Sequence, residues 1–359
     1  MARIYIRPLG ILGGSHVLAA RAAAGEPNPA LLPLAGREDL AFITAELIER
    51  AGGTTTRRLV SAADVAGAQE PGLRQTLDLV RQPRPAVAGI TLDRPRIMGI
   101  VNVTPDSFSD GGHYLAPEAA IAHGMRLEQE GADFLDIGGE STRPGAEPIT
   151  IDEECRRVLP VIEALAKRAR VPISIDTRNA EVMRRAVDAG ARMINDVSAL
   201  THDPDGLAVA AASGLPVVLM HAKGDPRTMQ RNPTYDDVVL DVYDALAERL
   251  AACEAAGIPR GRLIVDPGIG FGKTLAHNLA LLGALSIFHG LGCPILLGAS
   301  RKSFITKLTG AAADDRLPAS LAAALQGLAH GVQIVRVHDV AATRQAIALW
   351  QGVHGGPAG

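Results

Sequence analysis

Cysteine is scarce in this chain, and its placement excludes several kinds of protein. The three cysteines, Cys155, Cys253 and Cys293, lie far apart in the 359-residue sequence and form no CxxC pair. An odd number of separated cysteines cannot build a disulfide framework or a zinc site of paired CxxC motifs. Because each lies in an apolar or helical stretch, we expect buried free thiols, which are typical of a reducing compartment.

Aromatic residues are also few, and the sequence has no long basic run and no long apolar run. Aromatic residues make up 3% of the chain, and the net charge is −3 at pH 7. Without a stacking surface or a basic patch, no nucleic-acid partner is expected. No stretch approaches the ~20 apolar residues of a membrane span. The first residues, MARIYIRPLGILGG, carry two arginines and no apolar block, so no signal peptide is expected. These absences favour a cytoplasmic protein with no membrane partner.

Residues 1–93 differ from the remainder and are interpreted as an N-terminal extension of unknown role. The sequence predicts a strand for IYIRPLG, a helix for AFITAELIERAG and a helix for RQTLDLV. The segment RQPRPAVAG, with two prolines and two arginines, has the composition of a linker. No catalytic constellation is present in this part.

Residues 94–359 alternate between apolar strands and amphipathic helices. Nearly all-apolar strands that alternate with helices indicate a parallel sheet covered by helices. Eight such units fit the size of a (β/α)8 TIM barrel, an α/β fold. A doubly wound open sheet is the alternative, but no GxGxxG follows the first strand. The predicted strands are Ile97–Val103, Phe134–Ile137, Pro172–Ile175, Met193–Ile194, Pro216–Met220, Leu263–Val265, Pro294–Leu297 and Ile334–Val337.

Every predicted strand ends in polar residues, and in a barrel all these ends share one mouth. The first strand carries Asn102 and leads into a loop with Asp106 and Asp110. Each polar residue taken singly has a structural explanation, such as a helix cap or a solvated charge. Eight polar strand ends together would be costly to bury unless a polar ligand satisfied them. The further residues of this mouth are Asp136, Asp176, Asn195, Asp196, His221, Asp266, Lys302, Arg336 and His338.

The residue types at this mouth indicate a heterocycle beside an anion. Asp176, Asn195 and Asp266 offer acceptors that suit a flat ring with several N–H donors, and Lys302 offers a donor for the other edge. Asn102, Arg336 and His338 suit a phosphate. The segment PGIGFGKT resembles a nucleotide-binding P-loop in composition, but Pro267 stands where that motif begins with glycine.

Eight motifs in order resemble the dihydropteroate synthase family over about residues 96–352. They are GIVNVTPDSFSDGG, FLDIGGESTRPGA, ISIDT, INDVS, VLMHAKGDPRTMQ, DPGIGFGKTLAHNL, GASRKSFI and VRVHDV. The resemblance implies a transferase that condenses 6-hydroxymethyl-7,8-dihydropterin diphosphate with 4-aminobenzoate, giving 7,8-dihydropteroate and diphosphate. It also implies Mg²⁺ and a homodimer.

The resemblance carries site roles onto matching positions of this chain. The pterin pocket would comprise Asp176, Asn195, Met220, Asp266, Phe271, Gly298 and Lys302. The diphosphate end would comprise Asn102, Arg336 and His338, with Asn102 also a magnesium ligand. The aminobenzoate site would comprise Phe108, Thr142, Arg143, Pro144 and Ser303. The catalytic residues would be Asp106, Asp110, Asp176 and Lys302.

Two other functions share this pterin-binding pattern. One is a methyl-transfer domain that presents methyltetrahydrofolate to a corrinoid, and the other is a catalytically silent pterin-binding paralogue. The methyl-transfer domain is not expected to need the SRKS and STRPG segments or the diphosphate residues. A silent paralogue is expected to have lost loop residues or Lys302, and both are present here.

Overall fold

The computed structural model describes residues 3–24, 28–103, 116–140, 148–224 and 229–354. An antiparallel four-stranded sheet with three helices forms the extension, and an eight-stranded parallel sheet forms the rest. The extension comprises β1 (Arg3–Gly13), α1 (Ser15–Ala24), β2 (Leu32–Pro33), β3 (Leu40–Ala51), β4 (Thr54–Ser61), α2 (Ala62–Gly67) and α3 (Pro71–Arg81). The domain boundary after residue 93 stays a prediction.

The parallel sheet consists of eight strands, and all eight predicted strands are confirmed. They are β5 (Arg96–Asn102), β6 (Phe134–Gly138), β7 (Ile173–Asp176), β8 (Met193–Asp196), β9 (Val217–Met220), β10 (Leu263–Asp266), β11 (Leu296–Leu297) and β12 (Ile334–Val337). The helices around them are α4 (Ala116–Gln129), α5 (Ile151–Arg168), α6 (Ala180–Ala189), α7 (Gly206–Ser213), α8 (Val238–Ala255), α9 (Leu275–Leu282), α10 (Ser303–Thr309), α11 (Leu317–Ala329) and α12 (Val340–Val353). A 3₁₀ helix, Leu285–Leu291, follows α9.

The strand order shows a closed barrel rather than an open sheet. The strands neighbour one another in the order β10-β9-β8-β7-β6-β5-β12-β11. A parallel bridge between Val265 and Ile295 joins the two ends. The doubly wound alternative is therefore excluded, and the carboxyl ends of all eight strands open at one mouth.

Alternation along the strands separates an apolar floor from a polar mouth. Side chains of a strand point to opposite faces in turn, so residues two apart face the same side. The apolar floor is a buried cluster of Val87, Leu92, Met98, Phe134, Met193, Val218, Ile264, Leu296 and Ile334. Two positions further along β6, β8, β10 and β12 come Asp136, Asn195, Asp266 and Arg336. Two residues along each of these strands, the side chains that line the barrel interior thus change from apolar to polar or charged.

The helix predicted for AFITAELIERAG is wrong, because this segment is strand β3. Ile43, Leu47 and Ile48 have the spacing of residues on one face of a helix, and this spacing predicted a helix where the chain forms a strand. In the structure β1 pairs along one edge of β3, and β2 and β4 pair along the other. Tertiary pairing of this kind overrides a weak local preference. The strand predicted for IYIRPLG and the helix predicted for RQTLDLV are confirmed as parts of β1 and α3.

The extension is held against α8 by arginines and by packed aromatic rings. The ion pairs join Arg3 to Asp244, Arg50 to Asp241 and Arg57 to Asp237, with N–O distances of 2.7, 2.8 and 2.6 Å. Next to them the ring of Tyr5 meets Tyr243 edge-on at 5.1 Å between centroids. Strand arginines thus face aspartates on one side of a helix, which fixes where the extension sits. Within the described residues, no helix is both long and apolar enough to cross a bilayer.

Candidate active site

Arg336 lies at the centre of the barrel mouth and holds two carboxylates together. Its Nε donates to Oδ2 of Asp136 and its Nη2 donates to Oδ2 of Asp176, both at 2.6 Å. The Arg336 side chain is only 19% exposed, so both ion pairs are largely shielded from solvent. Burial by itself lowers the pKa of Arg336, but the carboxylates of Asp136, Asp176 and Asp266 outweigh it and raise that pKa. The guanidinium is therefore a permanent cation here.

Asp136 connects Arg336 to the predicted pterin residue Asn195. Nδ2 of Asn195 donates to Oδ2 of Asp136 at 3.0 Å, which fixes the orientation of the Asn195 amide. Asp136 is completely buried. Its second oxygen, Oδ1, is buried without a hydrogen-bond partner among the described residues. A buried acceptor left in that state is costly, and it is typical of a site that a ligand completes.

Lys302 approaches the same mouth from the loop after β11. Its ammonium lies 4.6 Å from the centroid of the Phe271 ring and donates to the carbonyl of Ile269. Burial lowers the pKa of Lys302 to about 8, although the nearby carboxylates of Asp266 and Asp176 oppose that shift. A cation over an aromatic face is electrostatically favourable. Phe271 and Lys302, predicted as one pocket, are therefore neighbours.

Asp266 and Gly298 form the adjoining wall. Oδ1 of Asp266 accepts the N–H of Gly268 at 2.7 Å. Burial raises the pKa of Asp266, whereas Lys302, the Gly268 N–H and Arg336 lower it. A Cβ added to Gly298 would lie 3.7 Å from Oδ2 of Asp266 and 3.8 Å from Nζ of Lys302. An acceptor and a donor therefore lie together beside Gly298, and both can hydrogen-bond to a flat polar ring.

The pKa of Asp176 is raised above the ordinary value of an aspartate. Burial raises its pKa to about 7, and the charge of Arg336 opposes the shift. The carboxylates of Asp136 and Asp196 raise it further. A carboxyl group with such a pKa in a cleft is typical of a functional site.

The remaining described site residues are less closely joined. Met220 is buried at the end of β9. The side chain of Asn102 makes no hydrogen bond within the described residues, at the end of β5. Nδ1 of His338 lies 3.1 Å from Oγ of Ser300. Ser303 is exposed at the start of α10 and is not drawn into this network. Asp106, Phe108, Asp110, Thr142, Arg143 and Pro144 lie outside the described residues.

The sequence motifs assign no role to Asp136 or Lys273. Asp136 could have been found from its position two residues after Phe134, because both must face the barrel interior. Lys273 belongs to the PGIGFGKT segment, where the P-loop alternative is wrong. It is 2% exposed, and its ammonium is bonded to His221 and to the carbonyl of Phe271. A lysine enclosed in this way has no donor left for a nucleotide phosphate.

No ready-made metal cage is present among the residues that the structure describes. No three His, Cys, Asp or Glu side chains cluster there in a way that could hold an ion. The three cysteines are buried free thiols, as predicted.

Comparison with known proteins gives one consistent result. Residues 98–338 match the family model described as pterin binding enzyme. The dihydropteroate synthase of Escherichia coli strain K12 is 48% identical over 260 residues, which cover 72% of this chain and 92% of that protein. The corresponding enzyme of Neisseria meningitidis serogroup B is 50% identical over 270 residues, covering 74% and 94%.

Solved structures agree with these relatives. Xanthomonas albilineans dihydropteroate synthase with 4-aminobenzoic acid is 54% identical, with a TM-score of 0.72, and the match covers 77% of this chain and 99% of that one. The same enzyme in complex with 7,8-dihydropteroate is 51% identical, with a TM-score of 0.70 and coverage of 77% and 100%. The matched part corresponds in size to the barrel.

Proposed function

This chain belongs to the family of pterin-binding enzymes and has the activity of its dihydropteroate synthases, and on that premise we propose how its own residues carry the reaction. 6-Hydroxymethyl-7,8-dihydropterin diphosphate and 4-aminobenzoate condense to 7,8-dihydropteroate and diphosphate. The carrying observation is that Asp266, Lys302 and Arg336 converge on Gly298, since each has an atom within 4.0 Å of the position that a Cβ of Gly298 would take. The acceptor and the donor suit the edges of a pterin ring, and the cation suits the diphosphate that the ring carries.

The pterin ring is recognised by buried acceptors on one side and an ammonium on the other. Asp176 and Asp266 accept the ring N–H groups, and the oriented Asn195 amide adds a further contact. Lys302 donates to the ring acceptors from the opposite edge. Bonds between a charged group and a neutral partner are stronger than neutral ones, so these carboxylates supply most of the recognition. Phe271 and Met220 provide the apolar surfaces.

The diphosphate is held by Arg336, His338 and Asn102. Arg336 uses two of its five N–H groups on Asp136 and Asp176, which leaves three for phosphate oxygens. Its position is set by carboxylates before the substrate arrives, so little reorganisation is needed when charge develops on the leaving group.

Magnesium is proposed as a companion of the diphosphate. The donor set fits this role, because Asn102 ends β5 at the barrel mouth and its amide oxygen is the kind of ligand that Mg²⁺ takes. Mg²⁺ is usually bound through few protein ligands together with substrate phosphates and water. When bound, the ion would neutralise charge on the departing diphosphate.

Departure of diphosphate before amine attack is the proposed order of events. 4-Aminobenzoate has an unprotonated amine at neutral pH and needs no strong base, so charge separation forms the main barrier. Asp176, with Asp106 and Asp110 from the first loop, would stabilise the methylene cation that remains. Phe108, Thr142, Arg143, Pro144 and Ser303 would hold the aminobenzoate. Water must be kept away, because it would also capture the cation.

A cytoplasmic homodimer is the proposed state of the protein. Buried free thiols suit a reducing compartment. Leu349 and Val353 lie four residues apart on α12 and are 71% and 68% exposed. Such a pair on one helix face supports contact with a second copy. Light scattering of the wild type and of Leu349→Glu tests this, and a monomeric mass for the wild type would contradict it.

The deciding experiment measures diphosphate release from the pterin diphosphate with and without 4-aminobenzoate. A synthase releases diphosphate in step with dihydropteroate and only when the arylamine is present. A methyl-transfer domain binds a pterin without releasing diphosphate, and a silent paralogue shows no turnover. Either of these results would overturn the proposal.

A further inference from the structure

Lys273 is a buried ammonium group that the proposed reaction does not use. It follows β10 in the turn from Pro267 to Lys273, and its side chain is 2% exposed. Burial lowers the pKa of Lys273 to about 7, although Asp266 opposes the shift. A buried lysine is costly unless it is fully hydrogen-bonded, so its partners must account for its presence.

Each N–H of this ammonium has an acceptor, and the acceptors come from two different turns. Nζ lies 3.0 Å from Nδ1 of His221, 3.2 Å from the His221 carbonyl oxygen and 3.0 Å from the Phe271 carbonyl oxygen. Burial lowers the pKa of His221 to about 3, so the imidazole is neutral and can accept at Nδ1. Three acceptors around three donors satisfy the ammonium completely when it is charged.

The two turns joined by Lys273 touch through their backbones. A Cβ on Gly268 would lie 1.9 Å from the carbonyl oxygen of His221, and one on Gly272 would lie 2.3 Å from that of Lys223. Both glycines also have positive φ, at 69° and 61°. No other residue fits at either position without moving a turn. The two turns are therefore packed too closely to shift independently, and the Lys273 ammonium supplies the hydrogen bonds between them.

We propose that Lys273 is a positioning residue of the pterin pocket, which ties the His221 turn to Phe271 and so holds the Phe271 ring against Lys302. The inference rests on the proposed function, since it assumes that Phe271 and Lys302 bind the pterin. Lys302 lies 4.6 Å from the centroid of that ring. A shift of the Phe271 backbone therefore displaces the surface on which the Lys302 ammonium lies. Within the described residues, the ammonium of Lys273 bonds to His221 and Phe271 and not to Ser303, which is assigned to 4-aminobenzoate.

The charge of Lys273 also acts on Asp266. Three cations face this carboxylate, namely Lys302, Arg336 and Lys273, and each lowers its pKa against the effect of burial. Removal of the Lys273 charge leaves Asp266 easier to protonate. A protonated Asp266 accepts fewer ring N–H groups, so pterin binding should weaken at low pH first.

The test compares Lys273→Met with Lys307→Met, which removes the same group from an exposed position on α10. For Lys273→Met we expect KM for pterin diphosphate to rise about tenfold or more, with KM for 4-aminobenzoate at saturating pterin within about twofold. The acid limb of kcat/KM for the pterin should move to higher pH. Lys307→Met should change none of these, and Lys273→Arg should restore part of the pterin KM. An unchanged pterin KM and acid limb in Lys273→Met would overturn the proposal, as would a loss confined to kcat.

A second variant covers the case in which Lys273→Met does not fold. His221→Phe removes one of the three acceptors and leaves both carbonyl oxygens in place. We expect a rise of about threefold in KM for the pterin, and an unchanged KM would overturn the proposal. Failure of the proposed function is distinguishable, because a wild-type protein without 4-aminobenzoate-dependent diphosphate release refutes that function whatever Lys273 does.

Discussion

Arg336 and Asp136 are joined by a 2.6 Å hydrogen bond between Nε and Oδ2, although 200 residues separate them in the chain. They lie on the last and the second strands of the barrel, and the first strand, β5, lies between these two. Through this bond Asp136, which is completely buried, holds the Arg336 guanidinium in place. Asp136 therefore positions the cation that the proposed mechanism assigns to diphosphate.

Asp136→Asn should strongly reduce catalysis. It keeps the size of the side chain but removes the charge that orients Arg336, and it disturbs the Asn195 amide as well. Arg336 would no longer be held in place for the developing charge on diphosphate, so kcat/KM for pterin diphosphate should fall by about 100-fold or more. Steady-state diphosphate release measures this.

Asp133→Asn is the matched control for Asp136→Asn. Asp133 precedes β6 and pairs with Arg94 and Arg96 at the opposite end of the barrel. We expect a lower free energy of unfolding with kcat/KM nearly unchanged. Equal losses of activity in both variants would show that Asp136 acts only through stability.

The pH dependence of kcat/KM for the pterin should be bell-shaped. The acid limb belongs to two carboxylates that accept the ring N–H groups. They are Asp176, with a pKa of about 7, and Asp266, whose pKa is raised by burial, and both are lost as the pH falls. The ammonium of Lys302, with a pKa of about 8, is lost as the pH rises through it. Both charged forms are needed for binding, so the maximum lies between about 7 and 8, and kcat/KM reports the free enzyme.

Lys302→Arg identifies the alkaline limb of that profile. Arginine stays protonated at any pH used in an assay, so this limb should move far upward while the acid limb stays in place. An alkaline limb that does not move would assign it to the substrate or to another group.

Gly298→Ala should weaken pterin binding without unfolding the protein. The new methyl group would meet Asp266 and Lys302 only at ordinary contact distances, 3.7 and 3.8 Å, but it fills the space between them. Overpacking of a site costs about 1–3 kcal/mol, so KM for the pterin should rise by about 5- to 100-fold. Gly327→Ala is the contrast, because its Cβ would lie 2.6 Å from Cδ2 of Leu297. That variant should lose thermal stability and keep its KM.

Loss of two arginines of the extension should destabilise the protein modestly and in a salt-dependent way. Arg50 and Arg57 are 26% and 39% exposed in their pairs with Asp241 and Asp237. Pairs of this exposure contribute about 0–1 kcal/mol each. Arg50→Ala combined with Arg57→Ala should lower the free energy of unfolding by about 1 kcal/mol in dilute buffer, and by less in 1 M salt. Urea melts at two ionic strengths measure this, and an equal loss at both would argue against ion pairing.

Asp106→Ala should lower turnover far more than it lowers pterin affinity. A carboxylate that stabilises the methylene cation acts after the pterin has bound, so kcat should fall while KM for the pterin changes little. Asp110→Ala, measured beside it, shows which carboxylate of the first loop has this role. Equal loss of turnover and of pterin binding in Asp106→Ala would contradict the assignment.

The barrel and its mouth could be predicted from the sequence because strand alternation and strand ends are local signals. The division of labour among the acidic residues could not. Asp196 and Asp266 both end a strand and look alike in the sequence. In the structure Asp196 is occupied by its own turn, accepting the N–H groups of Ser198 and Leu200 at 2.7 and 2.9 Å. Asp266 accepts only the N–H of Gly268 with Oδ1, and its other oxygen, Oδ2, lies beside Gly298.

The extension was harder to predict, because its structure depends on pairing between distant segments. The alternation in β1 is clear, but β3 carries apolar residues at spacings that fit a helix or a strand. Only its neighbours decide between the two, since eight residues of β3 pair with β4 and ten with β1. Lys273 was missed for a similar reason, because its acceptors on the His221 turn lie 52 positions earlier.

The barrel floor has a practical consequence for anyone who shortens or transplants this protein. Val87 and Leu92 come from the segment before β5, yet they seal the end of the barrel with Met98 and Phe134. A chain that starts at Arg96 would lose Val87 and Leu92 together with the extension. Water would then reach the apolar side chains at the floor of the barrel. Shortened or grafted versions should keep the segment from residue 84 onward. Loss of the apolar cover at the barrel floor is then not mistaken for an effect of removing the extension.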